Sequence, residues 1–257
     1  MKNFEHYFDY NKVRFQYSST NKIKEREIHN YHEILYLMDK DLELLTDSGI
    51  FYLKAGSLLF IPSGTYHLLR LNKNEFFERL VILFSDDIIK DTPLSELVDS
   101  LIILENPKEF EEIFKKLCKI LSDTDSPYNK YQAYSIFNYL LTELLISPSK
   151  KVVPDKSYNL LSDVIEYINN NLSKKLTAAK LSELFNFSES TLTHRFKQDY
   201  NISLHEYIIQ RRLFHAQFLI KQGFLPTKIF LECGYENYSS FYRAYQKFFG
   251  YSPSKGK

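Results

Sequence analysis

The stretch Leu176 to Lys197, LTAAKLSELFNFSESTLTHRFK, decides how the C-terminal part of this chain folds. Thr177 stands where its side-chain oxygen can accept from the open N–H groups of a helix start, and Ala178, Leu181 and Phe185 then share one helical face. Asn186 follows, where a tight turn needs left-handed backbone that Asn tolerates better than most residues. Ser188 can cap a second helix whose inner face is Leu192 and Phe196. Two short helices joined so briefly must cross steeply, and small Ser182 lies near the crossing. The outer face of the second helix is left free: Glu189, Ser190, Thr193, His194 and Lys197. Two of these can bond bases and one can hold a phosphate.

The pattern recurs from Pro226 to Phe249. Pro226 suits a first helical turn, Ile229, Phe230 and Cys233 supply an apolar face, and Gly234 is the turn glycine. Asn237 can cap a helix beginning at Tyr238, with Phe241, Tyr245 and Phe248 inward. Tyr238, Ser239, Tyr242, Arg243 and Lys247 face out, and Arg243 is expected to be the only outward arginine in either reading helix. A long helix, about Leu204 to Lys221 and ended by Gly223, joins the two units.

Here the sequence closely resembles the AraC/XylS family. The matching residues run from Leu176-Thr177 through Ser188, Leu192 and Phe196-Lys197, then Glu206-Tyr207, Arg212 and Ala216. They continue through Ile229, Gly234-Tyr235, Phe241, Arg243, Tyr245 and Lys247, and close on Gly250-Tyr251-Ser252-Pro253-Ser254. The resemblance implies a transcription regulator that reads duplex DNA with two helix-turn-helix units, each second helix entering a major groove. It offers Ser190, Thr193 and His194 as base-facing in the first unit, and Asn237, Tyr238, Ser239 and Arg243 in the second. It also admits RNA polymerase, a small-molecule effector and a second copy of the chain as partners. Phe230 departs from the family's small alanine, and Ala244 from its larger aliphatic, so the volumes partly offset. Arg212 is expected to be structural, paired with Glu206 or Asp199, and His205 and His215 to be ordinary helix residues.

Composition agrees with such a reading. From Tyr158 onward there are 13 Lys/Arg against 8 Asp/Glu, a balance of +5, while the rest of the chain carries −4. That asymmetry suits a polyanionic partner for the C-terminal part, although a solvated surface produces it too. Cys118 and Cys233 lie far apart without CxxC spacing, so neither a disulfide framework nor a cysteine zinc site is expected. Met1 to His6 has charges where an export signal needs apolar residues, and no run approaches membrane-spanning length. The expected location is cytoplasmic, away from membranes.

The first 90 or so residues alternate short apolar runs, such as Ile34–Leu37, Ile50–Leu53, Ser57–Ile61 and Leu80–Phe84, with Gly- and Pro-rich turns. Two amphipathic helices follow, one carrying Phe110, Ile113, Phe114, Leu117, Ile120 and Leu121, the other Tyr134, Phe137, Leu140, Leu141, Leu144 and Leu145. They either cover the sheet or form a dimer seam. The fold expected is α+β: residues 1–147 a sensor and dimerisation domain with a β barrel and helical hairpin, 148–157 a linker, and 158–257 an all-α reader domain.

Gly56-x5-Pro62-x-Gly64-x2-His67 resembles the second sequence motif of cupin barrels, and His29-x2-His32-Glu33 partly resembles the first. The resemblance implies His29 or His32, Glu33 and His67 as a converging set, with an effector-contacting or structural role. The altered spacing argues against a bound metal, and neither a cofactor nor catalytic residues are expected. Two other functions remain open on sequence: a metal-dependent cupin oxygenase or isomerase, and an architectural DNA-binding protein that ignores ligands. No phosphate loop, nucleophile elbow or kinase motif set is present.

Overall fold

The computed structural model describes residues 4–20, 29–71, 75–90, 92–95, 101–105, 107–123, 126–146 and 161–255. The chain divides into two compact units, Met1–Tyr158 and Asn159–Lys257. The linker expected at 148–157 lies outside the described residues.

The N-terminal unit is layered. Strands β1 (Phe4–Tyr10), β2 (Val13–Thr20), β3 (His32–Leu37), β6 (Leu58–Ile61), β8 (Phe77–Phe84) and β9 (Ile102–Leu104) form a sheet in the order β1-β2-β8-β3-β6-β9. Strands β4 (Leu42–Thr46), β5 (Gly49–Leu53) and β7 (His67–Arg70) form a second sheet, β5-β4-β7. Among the described residues, the strands of both sheets pair antiparallel. Among the described residues no strand pair joins the two sheets, so the expected barrel is an open two-sheet sandwich.

Strand parity explains the composition of the larger sheet. Successive side chains point to opposite faces, so a sheet covered on both sides needs apolar residues at every position. Leu35 and Leu37 of β3, Leu59 and Ile61 of β6 and Val81 of β8 form one core with Leu42, Leu44, Phe51, Leu53 and Leu69 of the smaller sheet. Their neighbours Ile34, Tyr36, Leu58, Phe60, Leu80 and Ile82 face the other way. There they meet helices α1 (Lys108–Ser122) and α2 (Asn129–Ile146). The Tyr36 and Phe114 rings stack at 4.1 Å, and Phe84 meets Phe137 edge-on at 4.9 Å. The buried apolar faces of both helices therefore pack on the sheet of the same chain, while Tyr131, Tyr139 and Ile146 of α2 stay exposed.

The C-terminal unit is helical: α3 (Ser162–Asn170), α4 (Ala178–Leu184), α5 (Glu189–Tyr200), α6 (Leu204–Lys221), α7 (Pro226–Ile229) and α8 (Tyr238–Phe249). Side chains set its helix starts. Thr177 Oγ1 accepts from Lys180 N, Ser188 Oγ from Thr191 N, and Asn237 Oδ1 from Ser240 N. Ser203 and Glu206 form a reciprocal capping box at the start of α6. Central α6 is lined by buried residues on both flanks, packing Tyr207 against Phe196 at 5.3 Å and Phe214 against Phe248 at 5.5 Å. It thus fixes α5 and α8 relative to each other.

The second unit departs from expectation in its first helix. Regular α7 stops at Ile229 and gives way to turns, although Cys233 N still bonds Ile229 O at 2.9 Å. Phe230 sits in this irregular stretch, half-buried, its ring 6.0 Å from Tyr238. Phe230 and Ala244 both pack on the same core, so the bulky residue is accommodated beside the small one.

Candidate functional site

Helix α5 anchors itself through Leu192, Phe196 and Tyr200, four residues apart and all buried. Glu189, Ser190, His194 and Lys197 are exposed, and Thr193 is half-buried. The Thr193 hydroxyl donates to the Glu189 carbonyl at 2.8 Å, so its hydrogen is already used within the helix. Ser190, Thr193, His194 and Lys197 border a cleft of about 620 Å³ whose other wall includes Thr177 and the capped start of α6, with Ser203 and His205. Expected only as an ordinary helix residue, His205 therefore shares a cleft with the reading face. Its position in the first turn after the Ser203 cap was the available signal. Arg195, on the flank of α5, is also exposed. Arg243 is thus not the sole outward arginine.

Helix α8 buries Phe241 and Tyr245 and exposes Ser239, Arg243 and Lys247. Tyr238 and Tyr242 are half-buried, Tyr238 leaning on Phe230 and on Phe241 at 5.9 Å. Asn237 is exposed, but its side-chain carbonyl is committed to the cap. Bidentate reading of adenine uses both the oxygen and the amide nitrogen, so Asn237 cannot supply it while capping.

A salt bridge was the expected role of Arg212, and the structure corrects it. Arg212 Nε donates to Leu172 O at 2.9 Å and Nη2 to Lys174 O at 2.8 Å. Glu206 instead completes the α6 cap. Burial lowers the Arg212 pKa from its ordinary value, with partial compensation from Tyr235 and Cys233. Gly234, at φ +78°, packs directly on this anchor: a Cβ there would overlap the Leu172 carbonyl and the Arg212 guanidinium. Burial pushes the Cys233 thiol up to about 12, as befits a packed rather than reactive cysteine.

In the N-terminal unit the structure brings together His29, Glu33 and His67 but not His32. His29 Nε2 is 3.0 Å and His67 Nε2 3.4 Å from Glu33 Oε2. His32 neighbours Glu33 on β3 and so points to the opposite face, among Phe60 and Phe84, where its Nε2 meets Asp86 and its Nδ1 accepts from Ser63 N. The glycine motif does build the cluster: Gly64, at φ +76°, donates its N–H to His29 O at 2.9 Å. Burial by itself raises the Glu33 pKa, but hydrogen bonds from His29 and His67 outweigh it and hold the carboxyl below its ordinary value.

Comparison with known proteins agrees with the reading helices. Residues 181–256 match a family model described as a helix-turn-helix domain. An uncharacterized HTH-type transcriptional regulator, YdiP of Escherichia coli K12, is 25% identical over 236 residues, covering 88% of this chain and 78% of its own. The DNA-binding dual transcriptional regulator Rns of E. coli is 23% identical over 255 residues, 92% of this chain and 93% of that one. Among solved structures, fatty-acid-bound ToxT of Vibrio cholerae aligns over 96% of this chain and 95% of its own, with 10% identity and a TM-score of 0.40. Among the described residues, no helix is long and apolar enough to cross a membrane. With both helix-turn-helix units capped and turned as the sequence requires, the chain carries a C-terminal helix-turn-helix domain and is similar over most of its length to DNA-binding transcription regulators.

Proposed function

We propose that this regulator works in the cytoplasm, without catalytic activity of its own, by laying α5 and α8 into successive major grooves on one face of an asymmetric DNA site. The observation carrying this reading is the pairing of two side-chain-capped helices on one shared helix, α6, each with a polar outer face. In it, Arg243 bonds guanine O6 and N7, His194 and Ser190 make weaker base contacts, and Lys197 and Lys247 hold phosphates. Arg195 and His205 border the first reading face and add positive or hydrogen-bonding groups there. The N-terminal unit is the sensor and dimerisation part, with a small-molecule effector, and RNA polymerase is the further protein partner.

Duplex binding by the purified chain tests the reading. Affinity should fall steeply with salt, because each neutralised phosphate releases about one counterion. Binding that ignores salt, or no binding at all, overturns it.

A further inference from the structure

Arg79 of β8 carries a positive charge into the N-terminal sandwich and is only 5% exposed. Phe77 and Val81, two residues to either side on the strand, belong to the core between the two sheets, so Arg79 points into that core as well. Among the described residues its Nε has no hydrogen-bond partner, and no ion pair involves it. The Phe77 ring, 5.7 Å from the guanidinium carbon, offers a weak attraction but no countercharge.

The acidic side chains nearest in the sheet are engaged elsewhere. Glu78 points to the opposite face and accepts from Tyr17 Oη at 2.8 Å. Asp39 accepts the Glu78 N–H at 2.7 Å. Glu5, two strands away in the same row, accepts from Gln16 Nε2 at 2.8 Å. Within that row the register sets Ser18 of β2 directly opposite Arg79, and Leu37 of β3 on its other side. Ser57 follows, its carbonyl accepting from Leu37 N at 3.0 Å. The hydroxyls of Ser18 and Ser57 are buried and, among the described residues, also have no partner. One row thus holds a cation and two hydroxyls facing no acceptor. A water can take an N–H bond but does not cancel the charge, and a buried unpaired charge costs far more than a buried neutral donor. Leu37 lies four residues along β3 from Glu33, about 13 Å, so this row is separate from the His29, Glu33 and His67 cluster.

We propose that Arg79 binds the carboxylate of a small organic acid between the two sheets, its guanidinium taking both oxygens and the Ser18 hydroxyl donating to one of them. The ligand class follows from the chemistry of the group. A cation is repelled and a neutral ligand leaves the charge unanswered, whereas the planar guanidinium fork matches the paired oxygens of a carboxylate. Leu35, Leu37, Phe77 and Val81 on the same face favour an acid with an apolar body. The assignment rests on the reading of this unit as the sensor and gives its effector a chemical class.

Thermal unfolding of the full-length chain with millimolar acetate, butyrate or benzoate, each set against its neutral amide, tests this without any DNA present. At least one carboxylate should raise the Tm in a concentration-dependent way, and its amide should not. Arg79→Met should abolish that rise. With no acid added it should also unfold at a higher temperature than wild type, because an unanswered buried charge has been removed. Arg79→Lys keeps the charge but not the fork, should lose most of the rise, and decides the matter if Arg79→Met does not fold. Arg14→Gln, at an exposed arginine bonded to Asp9, should respond as wild type does. A wild-type chain that no carboxylate stabilises beyond its amide overturns the assignment, as does an Arg79→Met chain that still responds or that is less stable without acid. A bound acid that leaves DNA affinity unchanged refutes the sensor reading while the Arg79 site stands.

Discussion

The two helix-turn-helix units share a backbone plan and differ in what they hold out from it. Both second helices are twelve residues long, both are capped by a side chain, and both end on a left-handed residue, Asn201 at φ +53° and Gly250 at φ +78°. The connecting turns also go left-handed, through Asn186 at φ +57° in the first unit and Gly234 at φ +78° in the second. Yet α5 offers Ser190, His194 and Lys197 beside a cleft, whereas α8 offers Arg243 and Lys247 beside half-buried tyrosines. A common frame with unlike faces teaches that one chain can address an asymmetric site. The second unit, with only a four-residue α7, also packs its turn glycine, Gly234, against Arg212 and the Leu172 carbonyl.

The largest effect expected from breaking that comparison is at the turns. Gly234→Ala combines left-handed strain, about 1–2 kcal/mol, with overlap on the Leu172 carbonyl and the Arg212 side chain, typically another 1–3 kcal/mol. Gly250 has the same φ and nothing within 4 Å of a built Cβ, so Gly250→Ala should show the strain alone. Urea unfolding of the two variants separates the terms, and equal losses would refute the close-packing part.

Arg212→Met comes next. It removes two charged hydrogen bonds to carbonyls, and a loss of about 2–3 kcal/mol is expected. A double-mutant cycle with Glu206→Gln should show no coupling beyond about 0.5 kcal/mol, since Glu206 serves the α6 cap. Strong coupling would restore the ion pair the structure replaces.

Smaller still are the caps. Ser188→Ala should cost about 1 kcal/mol of stability, and Asn237→Ala a similar amount, both read by thermal unfolding. Thr193→Val should change neither stability, beyond about 0.5 kcal/mol, nor the DNA sequence selected, because its hydroxyl hydrogen is spent on the Glu189 carbonyl. An altered selected sequence would return Thr193 to the reading set.

The C-terminal plan was legible in the sequence because its signals are local. Thr177, Ser188 and Asn237 act within three residues of themselves, and the limits of α6, Leu204 and Lys221, follow from a serine before and a glycine after. Residue type alone did not reveal that the Thr193 hydroxyl hydrogen and the Asn237 side-chain carbonyl, which suit base contacts, are also engaged by backbone. Arg195 escaped notice because a flank position is neither clearly inward nor outward on a helical wheel. In the N-terminal unit, alternation and turns announced strands but not sheet closure, which depends on which edges meet. The His29, Glu33 and His67 cluster was half-visible: the residues were singled out, but only strand parity excludes His32 and only the sheet packing gathers the rest.

The central claim is that the two reading helices address different halves of one site. Selection of bound fragments from random duplex DNA, run on the full chain and its Arg243→Ala, His194→Ala and Lys197→Ala variants, tests it most directly. Wild type should select an asymmetric sequence. Arg243→Ala should relax one or two guanine positions in one half, by about 1–3 kcal/mol of discrimination. His194→Ala should act more mildly in the other half, and Lys197→Ala should weaken all sequences alike. If Arg243→Ala leaves the selected sequence unchanged, or if both variants relax the same positions, the two-half account is contradicted.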